Sequence, residues 1–116
     1  MDKDPTTTNS ELYKTVFEND RVRVLEYRDR PGDSTTSHRH PDSIMYTLSN
    51  FRRRLVSGDR EVDVEIAADS VRWLDAQEHS GHNIGETETH VIFVELKEPP
   101  PGAAPNSDTS ALGPES

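Results

Sequence analysis

Three histidines stand at spacings that would let them bind a single metal ion. His38 and His40 lie two residues apart in the run PGDSTTSHRHP, and His79 lies in the later run ADSVRWLDAQEHSGHN. Residues i and i+2 of a β-strand point to the same face, so His38 and His40 would project side by side while Arg39 points away. A third imidazole from a distant strand would complete a facial set of nitrogen ligands, with positions left open for water, oxygen or a substrate.

The segments around these histidines are predicted to be strands. Two early runs, residues 12 to 17 and 22 to 27, are rich in β-branched and aromatic residues and are bounded by turns. Further along, SGDR at 57 to 60 is a hairpin turn that leads into the strictly alternating EVDVEI. The remaining predicted strands are SIMYTLS, FRRRLV, SVRWL, HSGHNI and THVIFVEL. With no helical period in any window, this pattern predicts an all-β sandwich or barrel.

The two histidine runs resemble the two motifs of a small single-domain cupin. The first run reads G-x5-H-x-H from Gly32 to His40, and the second keeps the spacing G-x5-P-x-G-x2-H-x3-N that ends at Asn83. In the second run, the usual Gly, Pro and Gly are replaced by Ala68, Leu74 and Ala76. The resemblance implies a cupin jelly roll, that is, a double-stranded β-helix barrel.

The resemblance also implies one divalent transition metal, Fe, Mn, Ni, Cu or Zn, bound by His38, His40 and His79. Cupins of the common type carry a glutamate ligand three or four residues after the second histidine, but here His40 is followed by PDSIM. Ser43 is the best replacement by position, although its hydroxyl is a poor metal ligand. The expected site is therefore three neutral imidazoles, as in three-histidine cupins, which include dioxygenases that cleave diketones or oxidise thiols. The uncompensated charge of the metal would favour an anionic substrate such as an enolate.

Glu26 is a candidate catalytic residue. It shares strand parity with Val22 and Val24, so its carboxylate could point into the barrel and accept a proton. The alternative is that the strand twists or bulges before Arg28 and turns Glu26 to solvent.

His90 is a second candidate. We expect the face of THVIFVEL that carries His90, Ile92, Val94 and Leu96 to be interior, and the face with Val91, Phe93 and Glu95 to be exterior. A tight turn at NIGET would pair residue 82 with 89 and residue 81 with 90, which would place His90 on the face of His79. A slip of one residue would reverse this placement. His82 has the opposite parity to His79 and is expected to face solvent.

Composition limits the remaining choices. We expect a flexible segment at residues 1 to 10, one cupin domain at 11 to 98, and a disordered Pro-rich tail at 99 to 116. A net charge of -9 disfavours nucleic acid as a partner, and the one basic cluster, Arg52 to Arg54, is expected to be solvated or paired with acids.

The absence of cysteine and of a long apolar run predicts a cytoplasmic protein without a membrane partner. Exposed edge strands predict a homodimer.

Two functions are consistent with these features. The first is a metal-dependent enzyme that acts on a small carbonyl or carboxylate metabolite, by dioxygenase-type cleavage or by metal-assisted isomerisation or elimination. The second is a non-catalytic module that binds a metal or a small molecule for sensing. Because the fold does not determine the reaction, the sequence leaves both open.

Overall fold

The computed structural model describes residues 3–97, which form a short helix and nine strands. In chain order these elements are α1 (Pro5–Thr8), β1 (Tyr13–Glu18), β2 (Val22–Asp29), β3 (His38–His40), β4 (Ser43–Thr47), β5 (Phe51–Ser57), β6 (Arg60–Ile66), β7 (Val71–Leu74), β8 (Gln77–Asn83) and β9 (Thr89–Leu96). No helix in this part of the chain is long and apolar enough to cross a membrane.

The strands form two antiparallel sheets. One sheet has five strands in the order β1-β2-β9-β4-β7, and the other has four in the order β3-β8-β5-β6. Buried apolar side chains of both sheets form one core cluster: Tyr13, Leu25, Tyr27, Met45, Val91 and Phe93 from the first sheet, and Phe51 and Ile66 from the second. Apolar faces of two sheets that pack on each other give the predicted all-β jelly roll, which is confirmed.

The predicted hairpin between β5 and β6 is also confirmed. Ser57 pairs with Arg60, so the turn has two central residues. The first of these, Gly58, has a φ of 63°, a left-handed conformation that glycine adopts at little cost.

The predicted interior face of β9 was wrong. Val91, Phe93 and Glu95 point into the barrel and are buried, whereas His90, Ile92 and Val94 are only partly buried. Apolar residues occur on both faces of this strand, and the inward face also carries the charged Glu95. Alternation of apolar and polar residues therefore could not identify the buried side.

The tight turn that would have paired β8 with β9 does not form. β8 pairs with β3 and β5, whereas β9 pairs with β2 and β4, so the residues between them cross from one sheet to the other. The expected pairing of residues 82 and 81 with 89 and 90 does not occur. The NIGET segment connects the two sheets instead of two neighbouring strands.

The N-terminal segment forms contacts with the barrel. Asp4 caps α1 and also forms an ion pair with Arg23 at 3.0 Å. The carbonyl of Lys3 accepts a hydrogen bond from the backbone N–H of Arg39, which lies between the two histidines of β3, at 2.8 Å. Lys3 and α1 therefore contact the histidine strand. The predicted tail at 99 to 116 lies outside the described residues.

Candidate metal centre

Strands β3 and β8 bring the three histidines together. In β3, His38 and His40 are each 1% exposed and Arg39 is exposed, as expected for neighbours that alternate across a strand. His79 of β8 is the direct antiparallel partner of His38. The ring centroids of the three imidazoles lie 4.7 to 5.2 Å apart, and one nitrogen from each lies within 4.8 Å of the others. The structure thus confirms the predicted three-histidine group.

Hydrogen bonds fix the proton positions on two of the rings. His38 Nδ1 lies 2.7 Å from the carbonyl oxygen of Thr36, which can only accept, so Nδ1 carries the hydrogen. His40 Nδ1 lies 3.2 Å from a carboxylate oxygen of Glu95 and donates to it in the same way. The Nε2 lone pairs of both rings are therefore free to bind a metal, and both point at the hydroxyl of Tyr13 at 3.3 Å.

The third ring, His79, leaves a buried atom unsatisfied. Its Nδ1 has no hydrogen-bond partner among residues 3–97, and buried imidazole nitrogens normally have one. A bound ion would supply the missing partner if Nδ1 is the ligating atom, and would fix the tautomer if Nε2 is. The donor set therefore fits a divalent transition metal, because three nitrogen donors converge and two already present free lone pairs.

The electrostatics of the site also favour metal binding. Burial lowers the pKa of His38 to about 4 and that of His79 to about 3, so both rings are neutral near pH 7. Neutral imidazole is the form that binds metals, so no proton has to be removed from these two ligands at neutral pH. Burial also raises the pKa of Tyr13, which keeps its phenol protonated in the absence of a metal.

A buried carboxylate holds His40 from behind. Glu95 of β9 is 3% exposed, accepts from His40 Nδ1 with one oxygen, and lies 2.8 Å from Arg23 with the other. Arg23 in turn contacts Asp4, so a line of alternating charges runs from the N-terminal segment to the site. Glu95 was expected on the exterior face, so its contact with His40 could not be predicted. The register pairs Arg23 with Glu95 across β2 and β9, a signal that appears only once the strands are aligned.

Two other candidates have different surroundings. The hydroxyl of Ser43 donates to the carbonyl of Pro41 at 2.7 Å, so it is already engaged away from the histidines. His82, predicted to face solvent, lies 2.5 Å from the Ser34 hydroxyl and is separate from the three-histidine group.

The structure brings Glu26 and His90 to each other and not to the three histidines. They lie on the outer face of β2 and β9, opposite to Leu25, Tyr27, Val91 and Phe93, with Glu26 Oε2 2.6 Å from His90 Nε2. The hydrogen bond from His90 holds the pKa of the Glu26 carboxyl below its usual value. For Glu26 the structure therefore agrees with the alternative of an outward side chain, whereas the expected inward face of His90 was wrong.

A mainly apolar cavity of about 220 Å³ lies against the histidines. His38, His79 and Tyr13 form part of its wall, and the apolar lining comes from both sheets: Met45, Phe51, Val64, Ile66, Val91 and Phe93. None of the described residues that line it is an aspartate or a glutamate, and its charged side chains are Arg53 and Arg72. The site therefore adjoins a space suited to an apolar molecule with an anionic group.

Arg53 is buried at 7% exposure and is paired with an acid, the second of the two surroundings expected for the arginine cluster. It donates to Asp29 at 2.6 Å, to Tyr27 at 3.2 Å and to Thr89 at 3.1 Å. The guanidinium can be buried because Asp29 neutralises its charge. Its charge is thus already compensated within the barrel.

Comparison with known structures identifies the fold. A cupin domain from Bordetella pertussis Tohama I superimposes with a TM-score of 0.70 at 25% sequence identity, covering 75% of this chain and 93% of that one. The chain has the cupin fold. No protein-family model matches this cupin. A search of curated proteins finds no match either.

Two other structural neighbours carry functional names. The polyketide cyclase RemF from Streptomyces resistomycificus has a TM-score of 0.57 at 20% identity, over 77% of this cupin and 66% of RemF. A predicted oxalate decarboxylase from Thermotoga maritima has a TM-score of 0.52 at 21% identity, over 73% of this cupin and 79% of that protein. At these identities the similarity shows the fold alone.

Proposed function

We propose that this cupin binds one divalent first-row transition metal through His38, His40 and His79 and acts as an enzyme on a small carbonyl or carboxylate molecule. The observation that carries the proposal is the meeting of three buried imidazoles at the wall of an apolar cavity. When bound, the metal supplies a Lewis-acid or oxygen-activating centre.

The cavity favours a small anionic ligand with an apolar body. Its volume of about 220 Å³ is below the roughly 300 to 1,000 Å³ of pockets for drug-sized ligands, so only a small molecule fits. Arg72 lines the cavity and has no ion-pair partner among residues 3–97. With no acidic side chain in the described lining to repel it, a carboxylate or enolate is the ligand class that we propose.

The lining also limits the chemistry. A carboxylate that could act as a general base is absent from the described wall of the cavity. Metal-centred chemistry is therefore favoured: oxygen-dependent cleavage, or metal-assisted isomerisation or elimination. The names of two neighbours, a polyketide cyclase and a predicted oxalate decarboxylase, support carbonyl and carboxylate compounds as the substrate class.

The absence of a carboxylate from the described wall of the cavity also supports the second function, a non-catalytic binding module. Without a carboxylate base, the cavity would hold a metal and an anion and release them unchanged. The two functions differ in turnover and not in binding.

Turnover therefore decides between them. The protein, purified without a histidine tag, is loaded separately with Fe²⁺, Mn²⁺, Ni²⁺, Cu²⁺ or Zn²⁺. Oxygen uptake and product formation are then followed with small diketones and 2-oxo acids. An enzyme turns over at least one of them with one metal, and the His79→Ala variant does not. Ligand binding without turnover for every metal would support the binding module, and failure to bind any metal would contradict both functions.

We further propose that the cupin forms a homodimer through the outer face of β4 and β7. β7 is an edge strand, and apolar pairs cover this face: Ile44 opposite Trp73 and Tyr46 opposite Val71. Trp73 is 52% exposed and Val71 is 66% exposed. A second copy that covers this apolar surface on the edge strand would remove it from water and so stabilise a dimer.

A further inference from the structure

We infer that Tyr13 is a fourth protein ligand of the metal, bound through its phenolate oxygen. The inference rests on the proposed metal-binding function and adds a residue from β1, outside both histidine runs. Tyr13 is 6% exposed, and its hydroxyl lies 3.3 Å from Nε2 of His38 and 3.3 Å from Nε2 of His40.

The hydroxyl of Tyr13 cannot donate a hydrogen bond to both histidine nitrogens at once. Both Nε2 atoms present lone pairs, because the Nδ1 hydrogens of His38 and His40 are donated to Thr36 and Glu95. A phenol has one hydrogen, so it can donate to only one of the two nitrogens. The other lone pair faces an oxygen at 3.3 Å with no hydrogen between them, a repulsive contact unless a cation lies between the three atoms.

The distances match neighbouring ligands of one metal ion. In a tetrahedral site with bonds of about 2.0 to 2.1 Å, adjacent donor atoms are about 3.3 to 3.4 Å apart. The two oxygen-to-nitrogen distances at Tyr13 are both 3.3 Å. Hydrogen bonds donated by a hydroxyl are usually shorter, near 2.7 to 2.8 Å. The equal and longer spacing is therefore that of a ligand set.

Tyr13 also provides the negative charge that the missing glutamate would have supplied. On coordination the phenol releases its proton to solvent, and the resulting phenolate offsets one charge of the metal. Packing holds the ring in place, since the centroid of Tyr27 lies 4.6 Å away and that of Phe93 lies 6.0 Å away. The hydroxyl of Ser43, the replacement expected from the sequence, is instead taken by the Pro41 carbonyl.

A visible absorption band tests the inference. The whole protein is loaded with Fe²⁺ and oxidised to Fe³⁺, because a phenolate bound to Fe³⁺ gives a charge-transfer band and characteristic resonance Raman modes of the tyrosine ring. The chain has three tyrosines, so each can be replaced in turn. We expect the band in the wild type, its loss in Tyr13→Phe with iron retained, and no change in the matched controls Tyr27→Phe and Tyr46→Phe. Zn²⁺ binding by Tyr13→Phe should weaken about tenfold or more.

Several results would overturn the inference. A band that persists in Tyr13→Phe would assign the phenolate to another tyrosine, and wild-type protein that binds iron without a band would show that Tyr13 is not a ligand. If Tyr13→Phe does not fold, resonance Raman spectra of protein with ring-deuterated tyrosine still decide the question, because only a phenolate bound to Fe³⁺ is resonance-enhanced. Enhanced modes that shift on deuteration and persist in both Tyr27→Phe and Tyr46→Phe would assign the ligand to Tyr13, and their loss in either variant would overturn the inference. Failure of the wild type to bind any metal would instead contradict the proposed function, and metal content measured separately distinguishes the two failures.

Discussion

Replacing Glu95 with glutamine tests how the barrel orients its metal ligands. The carboxylate accepts from His40 Nδ1 at 3.2 Å and contacts Arg23 at 2.8 Å. Glutamine keeps the shape of the side chain but removes the charge that strengthens both contacts and fixes the His40 ring. Removal of such a partner usually lowers metal affinity about 10- to 100-fold, which is about 1.4 to 2.7 kcal/mol.

Glu95→Gln should lower the stability of the metal-free protein by less than the loss of one partner of a buried ion pair usually does. Arg23 is 14% exposed and keeps Asp4 as a partner at 3.0 Å after the substitution. The free energy of unfolding should therefore fall by about 1 to 3 kcal/mol, the range for a lost charged hydrogen bond. It should not fall by the roughly 3 to 5 kcal/mol of an isolated buried charge.

The assay is a competitive Zn²⁺ titration against a chelating dye, together with urea unfolding of the metal-free protein. Glu26→Gln is a matched control, because Glu26 also contacts a histidine, at 2.6 Å, but on the outer face of the same two strands. It should leave metal affinity unchanged. Affinity of Glu95→Gln within about twofold of the wild type, or an equal loss in Glu26→Gln, would refute the assigned role of Glu95.

Three further predictions follow from burial and exposure. The metal-free protein should lose stability as the pH falls below about 6.5, because burial lowers the pKa of His38 to about 4 and that of His79 to about 3 in the folded state, so the unfolded chain takes up protons first. At about pH 5, each ring should lower the free energy of unfolding, measured in urea, by about 2 kcal/mol. Equal stability at pH 5 and pH 7 would contradict this prediction. Trp73→Glu should convert the proposed dimer to a monomer in sedimentation, and a monomeric wild type would exclude the dimer. Gly81→Ala should lower the free energy of unfolding by about 1 to 3 kcal/mol, because its Cβ would come 2.8 Å from the buried Arg53 guanidinium, and an unchanged melting temperature would contradict that close packing.

The fold and the three-histidine group could be predicted from the sequence because the relevant signals are local. Alternation along a strand put His38 and His40 on one face, and the spacing of the second run put His79 in a strand. Regular turns between short alternating segments were enough to predict a barrel.

The surroundings of the histidines could not be predicted, because they depend on strand register and on which face is buried. In β9 both faces carry apolar residues, so the inward position of Glu95 appears only when its partners Arg23 and His40 are known. The burial of Arg53 could not be predicted either, because it depends on the partner Asp29, which is 24 residues away in the sequence. Tyr13 lies at the start of β1, and no neighbour in the sequence signals its contact with the histidines.

The most direct test of the proposed function is the metal content of tag-free protein and three single variants. The account predicts about one equivalent of metal per chain in the wild type, none in His40→Ala or His79→Ala, and an unchanged content in His82→Ala, whose side chain lies on the same strand as His79 but contacts Ser34. Full metal content in both His40→Ala and His79→Ala would contradict the assignment of the site.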